Sequence, residues 1–172
     1  MNSRELILGR VRAALQDAPV VAPVPRDYRQ AGTNAVDVDL LIDRLVDYKA
    51  EVHQVTETEV AATVRKIAGD GGPVLVPQGL PGSWRPEGAV EDDDLTPDRI
   101  AAAAAVLTGA AVAVAETGTI VLDASPDQGR RIITLLPDVH ICVLRPDQIV
   151  ASVPDAIARL TPGRPLTWIS GP

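Results

Sequence analysis

Apolar residues follow two alternating patterns along this chain: stretches at helical spacing and short continuous runs. In residues 37–50, one side of a helix carries Leu40, Leu41, Leu45 and Tyr48. The run 73–77, which follows the glycine-rich stretch 69–72, is typical of a buried strand. The two patterns predict helices over residues 3–17, 37–50, 56–68, 96–105 and 147–160, and strands over 51–55, 73–77, 105–107, 111–116, 119–124, 139–144 and 165–169, with an edge strand near Ala89 and Val90 and a helical or irregular segment over 130–136.

Local signals mark where several of these helices begin. Ser3 is expected to cap the first helix, because its hydroxyl can accept a hydrogen bond from a free backbone N–H of the first turn. Thr56 and Glu59 have the spacing of a capping box. Pro97 directly follows Thr96, and proline is well suited to the first position of a helix.

The order of the elements predicts an α/β fold. Helices and strands alternate between residues 37 and 77, which is typical of a mostly parallel sheet. The chain has two tryptophans, two tyrosines and no phenylalanine, so its core must consist of Val, Ile, Leu and Ala. Such a core suits a parallel sheet covered by helices. The segments 111–116 and 119–124 are an exception, since they predict a hairpin that turns at Thr117 and Gly118.

The chain divides into an N-terminal helix with a proline-rich arm, residues 1–36, and an α/β domain, residues 37–172. The residues that interrupt regular structure in the arm are Pro19, Pro23, Pro25 and Gly32. An amphipathic helix ahead of such an arm is expected to dock on another subunit, which makes a homo-oligomer through the N-terminal helix a prediction.

Composition narrows the class of protein. The chain has 16 basic and 23 acidic residues and a net charge of −7, which argues against a nucleic-acid surface. It contains no uninterrupted apolar run of bilayer-spanning length and no secretory signal at its N-terminus, so no membrane span is expected. Cys142 is the only cysteine, which excludes a disulfide framework and a thiolate cage for a metal or an iron–sulfur cluster. These features predict a cytoplasmic protein with no cofactor or metal of its own.

The most informative segment places a carboxylate between two apolar strands. Glu116 is followed by Thr117, Gly118 and Thr119, in a run that is otherwise apolar. A buried carboxylate is costly unless it is paired, so Glu116 is expected either to meet hydrogen-bond donors or to act on a ligand. Gly118 allows a positive φ and a close approach of the backbone, and the turn's N–H groups could bind an anion. The alternative is a hairpin whose carboxylate caps nearby backbone donors.

Two further groups of residues are candidates for anion binding. Arg130 and Arg131 follow a loop, and their planar guanidinium groups suit a carboxylate or phosphate. The alternative for them is a surface pair, or an ion pair with a nearby acid such as Asp127. Ser170 and Gly171 follow the last strand, at a position where open α/β sheets bind ligands.

Other polar residues are more typical of structural roles. His140 and Cys142 lie two apart in a predicted strand and therefore share a face, but two such residues do not make a zinc site. The acidic run 91–94 precedes a helix, where negative charge is favourable, and is expected to be a solvated loop. A magnesium site in that run is the weaker alternative.

Several short motifs resemble one family in their order along the chain. The first is the segment 115–122, Ala-Glu-Thr-Gly-Thr-Ile-Val-Leu. The others are 107–110 (Leu-Thr-Gly-Ala), 129–131 (Gly-Arg-Arg), 136–141 (Leu-Pro-Asp-Val-His-Ile), 148–150 (Gln-Ile-Val) and 169–172 (Ile-Ser-Gly-Pro). Together they resemble the LUD-domain family, in its lactate utilization protein C branch, over about residues 100–172. Members of that family continue beyond the Ser-Gly-Pro motif, so a further C-terminal segment is expected to be missing from this sequence or disordered.

The resemblance implies a three-layer α/β/α fold like that of the NagB, RpiA and CoA-transferase group. It also implies a non-redox role in bacterial oxidation of lactate to pyruvate, alongside partner proteins that hold the iron–sulfur clusters. A small carboxylate or other anion, or a partner, would then be bound by Thr108, Gly109, Thr117, Gly118, Thr119, Arg130, Arg131, Ser170 and Gly171, with Glu116 as the candidate catalytic group.

Two other functions stay open. One is a stand-alone CoA-transferase-like or isomerase-like enzyme, in which Glu116 attacks a small acyl substrate or acts on a phosphorylated one. The other is an assembly module with a vestigial pocket.

Overall fold

The structure is a computed structural model that describes residues 2–17, 22–32 and 34–171. Pro19 of the arm and Pro172 of the last motif lie outside these residues. The helices are α1 (Ser3–Ala14), α2 (Val38–Asp47), α3 (Val60–Ala68), α4 (Pro97–Ala101) and α5 (Val153–Arg159). The strands are β1 (Val74–Val76), β2 (Val90–Glu91), β3 (Ala105–Thr108), β4 (Val112–Val114), β5 (Thr119–Leu122), β6 (His140–Cys142), β7 (Ile149–Val150) and β8 (Thr167–Ile169). Short 3-10 turns occupy Glu57–Glu59, Gly82–Trp84, Arg131–Thr134 and Pro146–Gln148.

The first sheet contains β2, β1, β3 and β6 in that order, and every pair in it is parallel. Its two central strands, β1 and β3, are buried at every position, as strands of a sheet covered on both sides are. On one face Leu107 packs with Val60 and Val64 of α3. On the other face Val106 packs with Ile100 of α4.

The second sheet contains β7, β4, β5 and β8 in that order. The pair β4 and β7 is parallel, whereas β5 runs antiparallel to both β4 and β8. Ala156 of α5 packs on one face beside Val114, and Leu41 of α2 packs on the other beside Ala113. Helices therefore cover both faces of each sheet, which confirms the α/β class and its three-layer arrangement. Element order did not predict that the strands divide between two sheets.

Several predicted helix boundaries are confirmed and one cap is wrong. Thr56 and Glu59 form the predicted capping box, with Glu59 accepting from the Thr56 N–H at 2.8 Å. Pro97 begins α4 as predicted. The cap of α1 is Asn2 instead of Ser3, because Asn2 stands three residues before Glu5 and the two cap each other reciprocally.

One predicted strand is absent from the described residues, and one predicted helix begins later than expected. Residues 51–55 form no strand; Val52 and Val55 would point to opposite faces of an extended chain and therefore define no buried face. The helix predicted over 147–160 is also wrong at its start. Ile149 and Val150 instead form β7, each packed on a different face of the second sheet, and α5 begins only at Val153.

Candidate functional site

The turn that carries Glu116 joins β4 to β5 and is fixed from two sides. The Glu116 N–H donates to the Ala151 carbonyl at 3.1 Å, next to the start of α5. The Tyr48 hydroxyl, at the end of α2, donates to the Thr117 carbonyl at 3.0 Å. The predicted hairpin between β4 and β5 is confirmed, and its turn is held in place by both helical layers.

Glu116 lies at the surface, where it forms a two-point ion pair with Arg29 of the N-terminal arm. Arg29 Nη1 donates to Glu116 Oε1 at 2.9 Å, and Nη2 donates to Oε2 at 2.6 Å. The two side chains are 48% and 41% exposed, so Glu116 is not buried as its apolar neighbours suggested. The hydrogen bonds from Arg29 lower the pKa of Glu116, and the same contact raises the pKa of Arg29. Glu116 is thus held as an ionised carboxylate.

The hydroxyl groups around the turn form a chain. Thr117 Oγ1 lies 2.7 Å from Thr119 Oγ1, and the Thr119 hydroxyl donates to Ser170 Oγ at 3.1 Å. Ser170 directly follows β8, which pairs with β5. Gly171 is the next residue and has a φ of +81°. The structure therefore brings Glu116, Thr117, Thr119, Ser170 and Gly171 to one end of the second sheet.

Gly118 makes close contact with α2. Its φ is +63°, and a methyl group on its Cα would lie 2.7 Å from Arg44 Cβ and 3.0 Å from Tyr48 Cε2. Because residue 118 is a glycine, the turn can pack closely against helix α2.

Thr108 and Gly109 lie elsewhere, at the carboxyl end of β3 in the first sheet. Thr108 Oγ1 lies 2.8 Å from His140 Nε2, and Cys142 Sγ donates to the Gly109 carbonyl at 3.6 Å. The Gly109 N–H donates to the Asp127 carbonyl at 3.0 Å, and the Asp127 carboxylate occupies the space that a side chain at Gly109 would need. This group forms a second, separate polar cluster.

The electrostatics of this cluster favour neutral side chains. Burial lowers the pKa of His140 to about 4, so its imidazole is neutral at pH 7. Burial also raises the pKa of Asp127. Burial raises the pKa of the Cys142 thiol to about 12.

Cys142 is therefore expected to react slowly with thiol reagents while the protein is folded. A thiol whose pKa is about 12 has very little thiolate at pH 8, and its higher intrinsic nucleophilicity offsets only part of that loss. We expect iodoacetamide to modify Cys142 roughly tenfold to a hundredfold more slowly in the native protein than in urea. Equal rates in the two states, measured by mass spectrometry, would contradict the assigned environment.

Arg130 forms an ion pair, but its partner is not the acid that the sequence suggested. Its Nε and Nη2 donate to the two oxygens of Asp92 at 2.8 and 2.5 Å, and its Nη1 donates to Asp94 at 2.9 Å. Its partner is therefore Asp92, not Asp127. The Asp92 side chain is only 3% exposed, so the acidic run 91–94 is not solvated throughout as expected.

Arg131 is separate from the Glu116 turn as well. It lines a cavity of about 50 Å³ together with Gly129, Leu122 and Leu166. Such a cavity has room for one or two water molecules. The predicted site residues therefore lie in several separate parts of the structure. Their proposed roles in binding stay predictions.

Sequence reasoning missed Arg29, the partner of Glu116. Arg29 lies 87 positions before Glu116 in a polar arm, and no local pattern indicates where its side chain reaches. Within residues 2–17, 22–32 and 34–171, no cluster of three or more His, Cys, Asp or Glu side chains is arranged to hold a metal ion. No helix in that part of the chain combines the length and apolarity needed to span a bilayer.

The fold and the turn define a three-layer α/β protein with a carboxylate displayed on a hairpin. Comparison with known proteins identifies the family: the LUD domain matches residues 82–172. The chain is 41% identical to lactate utilization protein C of Deinococcus radiodurans, an alignment that covers 96% of this chain and 77% of the relative. It therefore belongs to the LUD domain family. A crystal structure of a DUF162 family protein from the same organism superposes with a TM-score of 0.73, at 43% identity, covering 78% of this chain and 86% of that one.

Proposed function

We propose that this protein is a non-redox component of a bacterial lactate utilization system. The observation that carries the proposal is its 41% identity, over nearly its whole length, to a protein named lactate utilization protein C. The oxidation of lactate to pyruvate needs an electron acceptor, and iron–sulfur clusters are usually held by four cysteines. Because this chain has one cysteine, the clusters belong to partner proteins in this proposal.

The N-terminal helix supports a role in association with such partners. Four apolar side chains of α1 and its C-cap are between 43% and 61% exposed, namely Leu6, Ile7, Val11 and Leu15. No residue of α1 is buried against the rest of the described chain. An unpacked helix with exposed apolar side chains is typical of a segment that docks on another subunit, either an iron–sulfur partner or a second copy of this chain.

Lactate oxidation by the purified iron–sulfur partners is expected to depend on this protein. We expect at least a roughly tenfold loss of lactate-dependent dye reduction when the protein is omitted, a difference of about 1.4 kcal/mol in effective barrier. A variant that lacks residues 2–17 is the control for association, and it should fold yet restore less activity. An unchanged rate without the protein would refute the role.

A stand-alone acyl-transfer enzyme is the second candidate, and one observation favours it. Glu116 is an ionised carboxylate on a half-exposed turn, and the ionised form is the nucleophilic one. Its oxygen would attack the thioester carbonyl of an acyl-CoA, forming a mixed anhydride and releasing the CoA thiolate. Both Glu116 oxygens are held by Arg29, however, so Arg29 would have to release one of them first. A glutamyl adduct found by mass spectrometry after incubation with acyl-CoA would favour this candidate over the first.

A further inference from the structure

The N-terminal helix α1 carries an apolar stripe with an arginine along each edge. Four exposed apolar side chains share one side of the helix: Ile7, Leu8, Val11 and Leu15. Arg10 and Arg12 lie at the two edges of this stripe. Every residue of α1 is exposed in the structure. An exposed apolar stripe of this kind is typical of a helix that packs on another protein surface.

The outer side of α2 presents the complementary combination of apolar and acidic side chains. Two neighbouring rows run along it at a spacing of four residues: Val38, Ile42 and Val46 in one, and Asp39, Asp43 and Asp47 in the other. Val38 and Val46 are 42% and 53% exposed, and the three aspartates are exposed as well. The opposite side of α2 packs on the second sheet through Leu41. The outer side is therefore open for a second helix.

The aspartate row of α2 has no counter-charge among the described residues. None of its three carboxylates forms a salt bridge within residues 2–17, 22–32 and 34–171. Like charges four positions apart destabilise a helix by about 0.2–0.5 kcal/mol for each pair. Basic side chains brought from outside relieve this repulsion, so the row favours a basic partner.

The charge of the whole chain is divided in the same way. Residues 1–36 contain five basic and three acidic side chains, whereas residues 37–172 contain 11 basic and 20 acidic ones. The N-terminal segment is therefore attracted electrostatically to an α/β domain of its own kind. Because α1 is exposed along its length, it does not cover the α2 of its own chain. Both complementary surfaces are open, and a second copy of the chain supplies the partner for each.

The arm is long enough for α1 to reach a second copy. Its far end is attached to the α/β domain, because Arg29 donates to both oxygens of Glu116 at 2.9 and 2.6 Å. The chain from Leu15 to Arg29 spans at most about 50 Å when extended. Helix α1 can therefore lie on a neighbouring molecule while the arm stays attached to its own domain.

We propose that two copies of this chain form a homodimer by exchanging their N-terminal helices, with α1 of each copy packed on the outer side of α2 of the other. A two-fold axis makes the two contacts identical, so a single arrangement covers both apolar stripes and neutralises both aspartate rows. The proposal goes beyond the role in lactate oxidation and concerns this protein alone. Its test therefore needs no iron–sulfur partner.

Charge reversal on the two surfaces tests this exchange. One variant carries Arg10→Glu with Arg12→Glu, and the other carries Asp43→Lys with Asp47→Lys. Sedimentation equilibrium between about 1 and 100 µM should show the wild-type mass rising from 18.1 kDa toward twice that value. Each variant alone places like charges together at both contacts, so its dimer affinity should fall at least about tenfold. In a one-to-one mixture opposite charges meet again at both contacts, and affinity should return to within about threefold of the wild type.

Two matched variants are the controls. Arg10→Lys with Arg12→Lys keeps the charge of α1, and Asp93→Lys with Asp138→Lys reverses two exposed acids outside α2. Both should dimerise within about threefold of the wild type. Recovery of the dimer in the mixture also shows that the two reversed variants are folded.

Three results would overturn the proposal: a wild type that stays monomeric up to 100 µM, a reversed variant that dimerises like the wild type, or a mixture that stays monomeric. A monomeric wild type that sediments with phosphatidylserine vesicles through α1 would assign the helix to a membrane surface instead. Loss of the role in lactate oxidation together with a retained dimer would reject the proposed function alone, and the reverse result would reject the exchange alone.

Discussion

Replacing Gly118 with alanine is expected to lower the free energy of unfolding by about 2–4 kcal/mol. Two costs add. The residue has a φ of +63°, where a side chain is strained by about 1–2 kcal/mol. The new methyl group would also lie 2.7 Å from Arg44 Cβ, and this atom belongs to the last turn of α2, so the helix itself has to move. Urea denaturation followed by circular dichroism measures the loss.

Gly88→Ala separates the two costs of the Gly118 substitution. Gly88 has a comparable φ of +74°, but nothing lies within 4 Å of a side chain built on it. It should therefore lose only the same backbone cost of about 1–2 kcal/mol. Equal losses at the two glycines would show that α2 does not restrict the turn. The same comparison bears on function, because displacing α2 also displaces Tyr48 from the Thr117 carbonyl.

Local sequence signals predicted most of the elements because their causes are local. The Thr56 and Glu59 capping box and the Pro97 helix start depend on neighbours within one helical turn. Where the sequence pattern gave a wrong prediction, contacts between residues far apart in the sequence determined the structure. Ile149 and Val150 look helical beside residues 153–159, but they face opposite sides of the second sheet and pair with β4. Tertiary burial therefore overrode the local pattern.

The candidate site was predicted in part for the same reason. The hairpin and its glycine can be recognised from residues 112–122, because the two apolar runs lie on either side of a turn. The ion pairs cannot be recognised in this way. Arg29 reaches Glu116 over 87 positions and Arg130 reaches Asp92 over 38, and one charged residue in a sequence does not indicate which opposite charge it meets.

The buried end of the Arg130 ion pair should make a large, pH-dependent contribution to stability. Asp92 is 3% exposed and accepts two hydrogen bonds from Arg130, which lower its pKa. In Asp92→Asn, one accepting oxygen becomes an NH₂ group that faces the guanidinium donors. We expect the free energy of unfolding to fall by about 1.5–3 kcal/mol at pH 7, the range for hydrogen bonds to charged groups.

The pH dependence of this loss follows from the direction of the Asp92 shift. Because the pKa of Asp92 is lower in the folded protein, its ionisation stabilises the fold fully above its unfolded pKa of about 3.9. That contribution is lost as the pH falls through the folded pKa. The gap between wild type and Asp92→Asn should therefore be constant from pH 7 to about 5 and narrow below about pH 4. Asp93→Asn, which changes the exposed neighbouring carboxylate, should stay within about 0.5 kcal/mol of wild type at pH 7. If the difference between wild type and Asp92→Asn persisted unchanged in acid, the amide would be disturbing packing and the charge of Asp92 would contribute nothing. The loop 91–95 would then be held by packing instead of by the ion pair.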